Sequence, residues 1–359
     1  MMTKVKSIVL TGGGSVGHVA PNIALIEKFQ QEGWQVSYIG SHNGIEKNLV
    51  MQLNVPYYSV ATGKLRRYFS WQNFLDPGKI FLGIGQAIFL LRRLKPDLVF
   101  SKGGFVAFPV VIAAWLNRIP VFIHESDLSL GLANRMCLPF ATKVCVAFPE
   151  TKVRSKKVVV TGIPIRNDIL HGVAQYGRTI CGFSAEKKIL LVFGGSLGAK
   201  QINKIIRQLL PKILSQFQVV HICGQDNIDQ SYSYDGYKQF AYLDKEFSHV
   251  LAAADFVISR AGANSIYELL ILRKPNILIP LQQDFSRGDQ ILNAQYCADK
   301  EISELILSEQ LTAALLLEKI YELAKKQVIM LRAMQNFNVM VGATLIFTMV
   351  QEVVYAKQS

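Results

Sequence analysis

Residues 8–18 read IVLTGGGSVGH, an apolar β-like run that ends in three glycines and leads into a helical pattern. The same arrangement returns about half a chain later, where residues 189–198 read ILLVFGGSLG. Glycine lets the backbone approach a phosphate closely and adopt positive φ, and the helix that follows presents N–H groups and the positive end of its dipole to an anion. Two such turns predict a chain built from two similar α/β halves, with a ligand held between them.

Strands and helices alternate along both halves. In the first half, strands are predicted at 6–11, 34–39, 57–61, 97–101, 120–124 and 142–147, with helices near 19–32, 43–53, 77–94, 105–116 and 130–139. In the second half, strands are predicted at 188–193, 217–222, 239–242, 255–258 and 276–280, with helices near 199–215, 246–253, 264–272, 289–299 and 309–328. This alternation predicts a doubly wound parallel sheet in each half, with ligands at the carboxyl ends of the strands.

The alternation lapses between 147 and 166, which places the domain junction there. We expect a first domain over 1–163 and a second over 164–339. The closing segment, 340–359, is apolar with helical spacing and is expected to pack back across the junction.

The bulk composition argues against an integral membrane protein. No uninterrupted apolar stretch reaches the roughly 20 residues that a spanning helix needs. The N-terminal residues enter the first predicted strand directly, so we expect no signal peptide.

The net charge of +13 is carried mostly by the first half, where residues 1–160 hold 19 Lys and Arg against 8 Asp and Glu. A basic surface of this kind suits nucleic acid, phospholipid or a phosphorylated substrate. Residues 64–75, KLRRYFSWQNFL, interleave cations with aromatic rings, a composition that suits a bilayer interface. The apolar run at 80–91 either extends that interface or is a core helix with a charged last turn.

The first glycine-rich turn also satisfies the G-x-G-x-x-G pattern of nicotinamide enzymes, at 12–17. That motif needs an acid at the end of the second strand to hold the ribose hydroxyls. The second strand here ends in GSHN, at 40–43. The missing acid argues against a dinucleotide enzyme.

The second half carries two polar turns at strand ends. Residues 260–268, RAGANSIYE, open a helix whose small residues can cradle a diphosphate, with Glu268 one turn in, where it can accept hydrogen bonds from a ribose. Residues 289–294, DQILNA, follow another strand and offer carboxylate and amide groups to sugar hydroxyls. Diphosphate, ribose and hexose together predict a nucleotide-sugar ligand.

These residues resemble the MurG family, bacterial glycosyltransferases that add N-acetylglucosamine (GlcNAc) from UDP-GlcNAc to lipid I and so form lipid II for peptidoglycan. The motifs that carry the resemblance are the first glycine-rich loop with His18, 101–105 (SKGGF), 124–127 (HESD), 131–134 (GLAN), 162–166 (GIPIR), 194–199, 259–268 and 289–294. The resemblance implies the GT-B fold, which is α/β with two Rossmann-like domains facing a cleft. UDP-GlcNAc would lie mainly on the C-terminal domain and the acceptor on the N-terminal one.

The resemblance also implies the partners. They are UDP-GlcNAc, lipid I (undecaprenyl-diphosphate-MurNAc-pentapeptide) and the anionic inner leaflet of the membrane, with no nucleic acid. The enzyme would then be a peripheral protein on the cytoplasmic face of the cell membrane.

Site residues follow from the same resemblance, position by position. On the donor side, Arg166 and Ser196 would contact the diphosphate or its neighbourhood, Leu243 would lie by the uracil, Ala263, Asn264, Ser265 and Ile266 would cap phosphate, Glu268 would hold the ribose and Gln290 the GlcNAc hydroxyls. On the acceptor side, Ser15, Val16, Gly17 and Asp127 would face the sugar and acceptor. Two positions depart from the commonest family pattern, because Val16 stands where glycine is frequent and Asp127 where some members have Asn.

The product linkage of the family implies an inverting single displacement. A base takes the proton of the acceptor 4-hydroxyl while that oxygen attacks C1 of the sugar, and UDP leaves. The candidates for the base are His18, Glu125 and Asp127, with His18 preferred because imidazole suits proton transfer near neutral pH. The chain has no Asp-x-Asp and no zinc-type histidine spacing, so no metal and no cofactor are expected.

Two other interpretations stay open at this point. A related GT-B enzyme could use another acceptor or epimerise the UDP-sugar, whereas a non-catalytic scaffold would bind the nucleotide sugar without turnover. The acceptor-side motifs at 101–105 and 124–134 favour the MurG family.

Overall fold

The computed structural model describes residues 5–63, 72–194, 200–282, 288–337 and 339–356. In the helix that begins at residue 72, the side chains are described from residue 77 onward. The chain divides into two compact units. The first comprises Met1–Arg166 together with Met340–Ser359, and the second is Asn167–Val339.

The first unit is built on a parallel sheet. Its strands are β1 (Ser7–Thr11), β2 (Gln35–Ser41), β3 (Tyr57–Val60), β4 (Leu98–Ser101), β5 (Val121–Glu125), β6 (Lys143–Val146) and β7 (Val158–Val160). They lie in the order β3-β2-β1-β4-β5-β6-β7. The helices between them are α1 (Val16–Gln31), α2 (Ile45–Met51), α3 (Gln72–Leu94), α4 (Ala107–Leu116) and α5 (Leu132–Cys137). Strand order reverses between β1 and β4, which makes the carboxyl ends of these two strands the switch point where open α/β sheets bind ligands.

The second unit repeats the plan. Its helices are α6 (Asn167–Leu170), α7 (Ala174–Cys181), α8 (Lys200–Ile213), α9 (Glu246–Ala253), α10 (Ala263–Ile271), α11 (Asp289–Asp299) and α12 (Ala313–Asn336). Its strands are β8 (Lys188–Phe193), β9 (Phe217–Ile222), β10 (Tyr237–Phe240), β11 (Phe256–Ser259), β12 (Asn276–Leu278) and β13 (Glu304–Leu305). They lie in the order β10-β9-β8-β11-β12-β13, so the switch point falls between β8 and β11.

The last helix, α13 (Gly342–Ala356), belongs to the first unit. Its Phe347 ring packs edge-on against Phe29 of α1, with ring centroids 5.2 Å apart, and against Trp34 at 6.0 Å. A Cβ at Gly342 would collide with the backbone of Ile163, so glycine lets the start of α13 approach the chain there. The C-terminal helix thereby completes one apolar core of the first unit.

The predicted alternation is confirmed, and the described residues include short strands and helices that are additional to it. They are β7 and β13 together with α6 and α7. Helix α7 has Gly177 in its middle, a residue that disfavours helices in isolation. A Cβ at Gly177 would collide with the carbonyl oxygen of His249, so this glycine allows α7 to lie directly against α9. The local sequence signal opposes the helix, and packing decides in its favour.

Among the described residues, no helix is both long enough and apolar enough to cross a bilayer.

Candidate active site

Two glycine-rich loops meet at the switch point of the first unit. One follows β1 at 12–14, and the other follows β4 at 103–104. Gly104 has a φ of +82°, and a Cβ there would collide with the carbonyl oxygen of Gly13. The backbone N–H of Lys102 donates to the carbonyl of Thr11 at 2.9 Å. The two loops therefore lie against each other through backbone atoms, an approach that side chains would prevent.

A buried carboxylate holds the first loop through hydrogen bonds to its backbone. Glu46, on α2, is fully buried and accepts hydrogen bonds from the backbone N–H of Ser41 at 3.0 Å and of Gly14 at 3.3 Å. The sequence analysis noted only that no acidic residue stands at the end of β2. Glu46 lies beyond the strand end, inside the next helix, and its carboxylate bonds to the chain's own loop.

His18 lies in the first turn of α1 beside the glycine-rich loop. Its Nδ1 is 2.8 Å from the hydroxyl of Ser15, the N-cap residue of that helix. Val16 is the first helical residue, so its backbone conformation is one that a β-branched side chain adopts readily, and the absence of glycine introduces no strain there. Ser15 and Gly17 are exposed, whereas Val16 and His18 are half-buried.

Glu125 and Asp127 follow at the end of β5, two strands from β1. Glu125 is buried, and its carboxylate accepts four hydrogen bonds. They come from the N–H of Ser126 at 3.0 Å, of Asp127 at 3.2 Å and of Gly131 at 2.8 Å, and from Nδ2 of Asn134 at 3.0 Å. Glu125 thus fixes the loop that carries Asp127, which is itself half-buried.

Two further titratable side chains are buried in the same place. Burial, together with the positive charge of Lys102, holds the pKa of His124 well below its usual range, and the ring Nε2 lies 2.8 Å from the carbonyl oxygen of Gly162. Burial lowers the pKa of Lys102, while the carboxylates of Glu125 and Asp127 act in the opposite direction. Both residues lie within motifs quoted from the sequence, but nothing in the sequence showed that they are buried.

In the second unit, α10 begins at the switch point, and Gly262 is its N-cap. The N–H of Ile266 donates to the carbonyl of Gly262 at 3.0 Å, and its side chain is buried. The N–H groups of Ala263, Asn264 and Ser265 lie in the first turn, before that helical bond, and the first turn of a helix is where backbone amides can bind an anion. Glu268 lies half-buried on the same helix.

Arg260 and Gln290 hold the neighbouring loop of the second unit. The guanidinium of Arg260 donates to the carbonyls of Ile279 at 3.1 Å and Pro280 at 3.2 Å, and burial lowers its pKa. Oε1 of Gln290, on α11, accepts from the N–H of Leu281 at 3.1 Å. That bond orients the side-chain amide of Gln290 at the carboxyl edge of the sheet. Arg260 was quoted in a sequence motif without a role, and its role in joining two strand ends depends on the tertiary structure.

Three other sequence-predicted residues remain. Leu243 is half-buried in the turn between β10 and α9, and Arg166 is half-buried at the end of the first unit. Ser196 lies outside the described residues. Within the part of the chain that the structure describes, no three His, Cys, Asp or Glu side chains are grouped so as to hold a metal ion.

Two doubly wound parallel sheets in succession, with a glycine-rich stretch of sequence after the central strand of each, are typical of the GT-B class of glycosyltransferases. Residues 8–146 match the N-terminal domain of glycosyltransferase family 28, and residues 189–343 match the C-terminal domain of the same family. The chain therefore belongs to glycosyltransferase family 28.

Relatives that match most of the chain are more specific. A protein of Legionella pneumophila is 54% identical over 89% of this chain and 90% of its own length, and one of Geobacillus thermodenitrificans is 53% identical over 86% and 87%. Both carry the name UDP-N-acetylglucosamine–N-acetylmuramyl-(pentapeptide) pyrophosphoryl-undecaprenol N-acetylglucosamine transferase. Among solved structures, MurG of Acinetobacter baumannii superposes with a TM-score of 0.77 at 26% identity and covers 97% of this chain and 99% of that one.

Proposed function

We propose that this protein transfers GlcNAc from UDP-GlcNAc to the 4-hydroxyl of the MurNAc of lipid I, forming lipid II, with inversion at the sugar C1. The observation that carries the proposal is the similarity to enzymes with that name, about half of all residues identical over nearly nine-tenths of the chain. The motifs of the second unit support a donor site there, and the motifs of the first unit support an acceptor site there.

The donor belongs to the second unit in this proposal. The amides of Ala263, Asn264 and Ser265 bind the diphosphate, where they stabilise the negative charge that UDP gains as it leaves. Glu268 accepts from the ribose, Gln290 contacts the GlcNAc hydroxyls, and Leu243 lies beside the uracil. Ser196 adds to the diphosphate site, and so does Arg166, although Arg166 is the last residue of the first unit before the junction. The backbone N–H of Ile266 donates to the carbonyl of Gly262 within the helix, so we do not assign it to the phosphate.

The acceptor and its base belong to the first unit. We assign proton removal to His18, in the tautomer whose Nδ1–H donates to the Ser15 hydroxyl, because that tautomer places the basic lone pair on Nε2. Asp127 lies on the neighbouring loop and is the alternative base. Glu125 is the anchor of that loop, since all four of its hydrogen bonds go to residues 126–134.

Transfer of radiolabelled GlcNAc from UDP-GlcNAc to a lipid I analogue, with EDTA present, tests this function. We expect labelled lipid II to form at a rate that EDTA leaves unchanged. Release of labelled sugar or of its epimer without lipid labelling would replace the proposal with a different GT-B activity. UDP-GlcNAc binding without any turnover would favour a scaffold.

A membrane surface is the second part of the proposal. Along α3 and the end of α4, large apolar side chains are exposed beside cations, including Phe89, Trp115 and Leu116 near Arg92 and Arg93. A hydrogen bond of 3.1 Å from Nε of Arg92 to the side chain of Asn117 links the two helix ends. We propose that this surface contacts the anionic inner leaflet of the membrane, where lipid I is anchored. The basic aromatic segment at 64–71 lies outside the described residues, and so do the side chains of 72–76.

Sedimentation with vesicles of phosphatidylglycerol tests the surface. Each cation near an anionic bilayer contributes about 1 kcal/mol, so Arg92→Gln with Arg93→Gln should weaken binding by at least about tenfold at low salt. The matched control is Lys325→Gln with Arg332→Gln on α12, which removes the same charge from another exposed helix. Equal loss in both double variants would show that only net charge matters. A further variant, Lys64→Ser with Arg66→Ser and Arg67→Ser, examines the neighbouring segment.

A further inference from the structure

Glu46 is a carboxylate enclosed by its own chain at the carboxyl edge of the first sheet. It is the second residue of α2, and its side chain is fully buried. One carboxylate oxygen, Oε1, accepts hydrogen bonds from both the backbone N–H and the hydroxyl of Ser41, the last residue of β2. The other oxygen, Oε2, accepts from the backbone N–H of Gly14 at 3.3 Å. The side chain therefore joins the end of β2 to the glycine-rich loop after β1.

Two glycines make room for this carboxylate. A Cβ at Gly13, in the glycine-rich loop, would collide with the carboxyl group of Glu46, and so would a Cβ at Gly44, the N-cap of α2. Neither glycine has a positive φ, so other residues could adopt the same backbone conformation there. Space for the carboxylate is what requires glycine at both positions. The loop and the start of α2 are thus built around Glu46.

The glycine-rich loop leads directly to the imidazole of the candidate site. A second hydrogen bond fixes the loop at its start, because the hydroxyl of Tyr38, on β2, donates to the carbonyl of Gly12 at 2.7 Å. Gly14 then precedes Ser15, the N-cap of α1, whose hydroxyl is 2.8 Å from Nδ1 of His18. The position of the N-cap hydroxyl therefore depends on how the loop is held.

Glu46 also has the chemistry expected of a ligand at such a loop. A glycine-rich turn after the first strand of an α/β sheet typically directs its backbone N–H groups at a phosphate. Here the N–H of Gly14 is directed at a carboxylate of the same chain. The first loop thus contains its own anion.

We infer that Glu46 supplies the anion of the first glycine-rich loop and is thereby a positioning residue for the pair formed by Ser15 and His18. This inference rests on the proposed function, in which His18 takes the acceptor proton. By holding Gly14, the carboxylate fixes the residue before the N-cap, and the N-cap hydroxyl orients the imidazole. Loss of this contact should slow proton transfer and leave the affinity for both substrates unchanged.

Glu46→Gln separates the contact with Gly14 from the other two hydrogen bonds. A glutamine amide has a single oxygen, which can accept from both donors of Ser41. Its NH2 group then faces the N–H of Gly14, so that two donors oppose each other. Ser41→Ala is the matched control, because it removes the hydroxyl bond to the same carboxylate and leaves the bond to Gly14 in place.

Steady-state kinetics test the inference. A displacement of about 1 Å can cost about a hundredfold in rate, so we expect Glu46→Gln to lower kcat by about ten- to a hundredfold. Both KM values should stay within about threefold of the wild type, and Ser41→Ala should keep kcat within about twofold. In a His18→Ala background, Glu46→Gln should lower the remaining rate by less than about twofold, because the base that it positions is gone.

Three kinetic results would overturn the inference. They are a raised acceptor KM at unchanged kcat in Glu46→Gln, an equal loss of kcat in Ser41→Ala, and an undiminished effect of Glu46→Gln in the His18→Ala background. The last two would show that Glu46 supports the fold in general and does not act through His18.

Nitrogen NMR of protein with isotope-labelled histidine tests the same pair apart from activity. The signals of the His18 ring are identified by their loss in His18→Ala. We expect the wild type and Ser41→Ala to share one neutral tautomer, with its hydrogen on Nδ1, and Glu46→Gln to show a mixture of the two tautomers. The same tautomer in all three proteins would contradict the inference.

A second variant covers the case in which Glu46→Gln does not fold. Glu46→Asp keeps the carboxylate on a side chain one methylene shorter, which falls short of Gly14, so the same loss of kcat and the same mixture of tautomers are expected. Retained kcat with an unchanged His18 spectrum would overturn the inference. If the wild type transfers no GlcNAc, the proposed function fails, and the NMR spectra still show whether Glu46 holds the pair.

Discussion

The carboxyl edges of the two sheets share one topology and differ in charge. In the first unit, Glu46, Lys102 and Glu125 are all buried there. In the second unit, the buried polar side chains among the described residues are amides, hydroxyls and the neutral imidazole of His221. The second unit instead offers the N-terminal amides of α10 and the half-buried guanidinium of Arg260, which is engaged with backbone carbonyls.

This difference fits two kinds of task. An anionic nucleotide is held well by backbone amides and neutral hydrogen-bonding groups, which need no counter-charge. Proton transfer needs ionisable groups whose surroundings set their charge state, and a buried ionised group costs stability unless it is paired. We therefore expect proton chemistry to depend on the first unit and nucleotide affinity on the second.

The largest effect should come from His18→Ala. A general base contributes roughly 10²- to 10⁴-fold, so kcat should fall at least about a hundredfold while UDP-GlcNAc affinity by calorimetry stays near normal. His171→Ala, which removes an exposed histidine of the second unit, is the control. If Asp127→Asn loses activity and His18→Ala keeps it, the carboxylate is the base. If both stay active, Glu125 becomes the candidate.

The next effect is on acid stability, and it can be measured for each unit. Burial and the charge of Arg207 lower the pKa of His221 to about 3. Between about pH 6.5 and pH 3, the unfolded chain therefore binds a proton at this histidine that the folded protein does not bind. The contribution of neutral His221 to the free energy of unfolding is therefore fully present above about pH 6.5. It falls as the pH drops toward 3, by up to about 1.4 kcal/mol for each pH unit. His221→Gln should flatten this dependence in the second unit.

The readout separates the units because all three tryptophans, Trp34, Trp71 and Trp115, belong to the first. Urea unfolding followed by tryptophan fluorescence reports the first unit, where His124 is the buried histidine, and circular dichroism reports both. An unchanged pH slope by circular dichroism in His221→Gln would remove His221 from the explanation. If His221→Gln flattened only the pH dependence seen by fluorescence, the acid sensitivity would belong to the first unit, and its assignment to the second unit would be wrong.

A smaller effect is expected at Glu268, on the nucleotide side. Loss of a buried polar partner costs about 1–3 kcal/mol, so Glu268→Ala should weaken UDP-GlcNAc binding by roughly five- to 150-fold in calorimetry. Glu318→Ala, on the exposed side of α12, is the control. A folded Glu268→Ala protein with unchanged affinity would contradict the assignment of the ribose contact.

The smallest effect should come from Ser15→Ala. The hydrogen bond between Ser15 and Nδ1 of His18 favours one tautomer, and a net hydrogen bond is worth about 0.5–1.5 kcal/mol. We expect kcat to fall by about three- to tenfold with donor affinity unchanged. Ser15→Thr, which keeps the hydroxyl, should retain most of the rate. Equal losses in both variants would show that the rate does not depend on the hydroxyl–imidazole hydrogen bond.

Much of the fold could be predicted from the sequence because its signals are local. Apolar runs, glycine turns and helical periods each depend on a few neighbouring residues, and parallel sheets follow from their alternation. The elements that escaped prediction are short or carry an opposing local signal. Gly177 is the clearest example, since it weakens a helix locally and is required for the contact of α7 with α9.

The site divides in the same way. The sequence by itself predicted the candidate residues, because His18, Glu125, Asp127, Glu268 and Gln290 stand in motifs at the ends of predicted strands. Tertiary structure alone decided what surrounds them: the four hydrogen bonds on Glu125, the burial of Glu46, and the enclosure of Lys102 between β1 and β5. The physical reason is that residue type fixes what chemistry a group can do. Burial, charge partners and hydrogen bonds come from distant parts of the chain, and they fix the charge state and the orientation of that group.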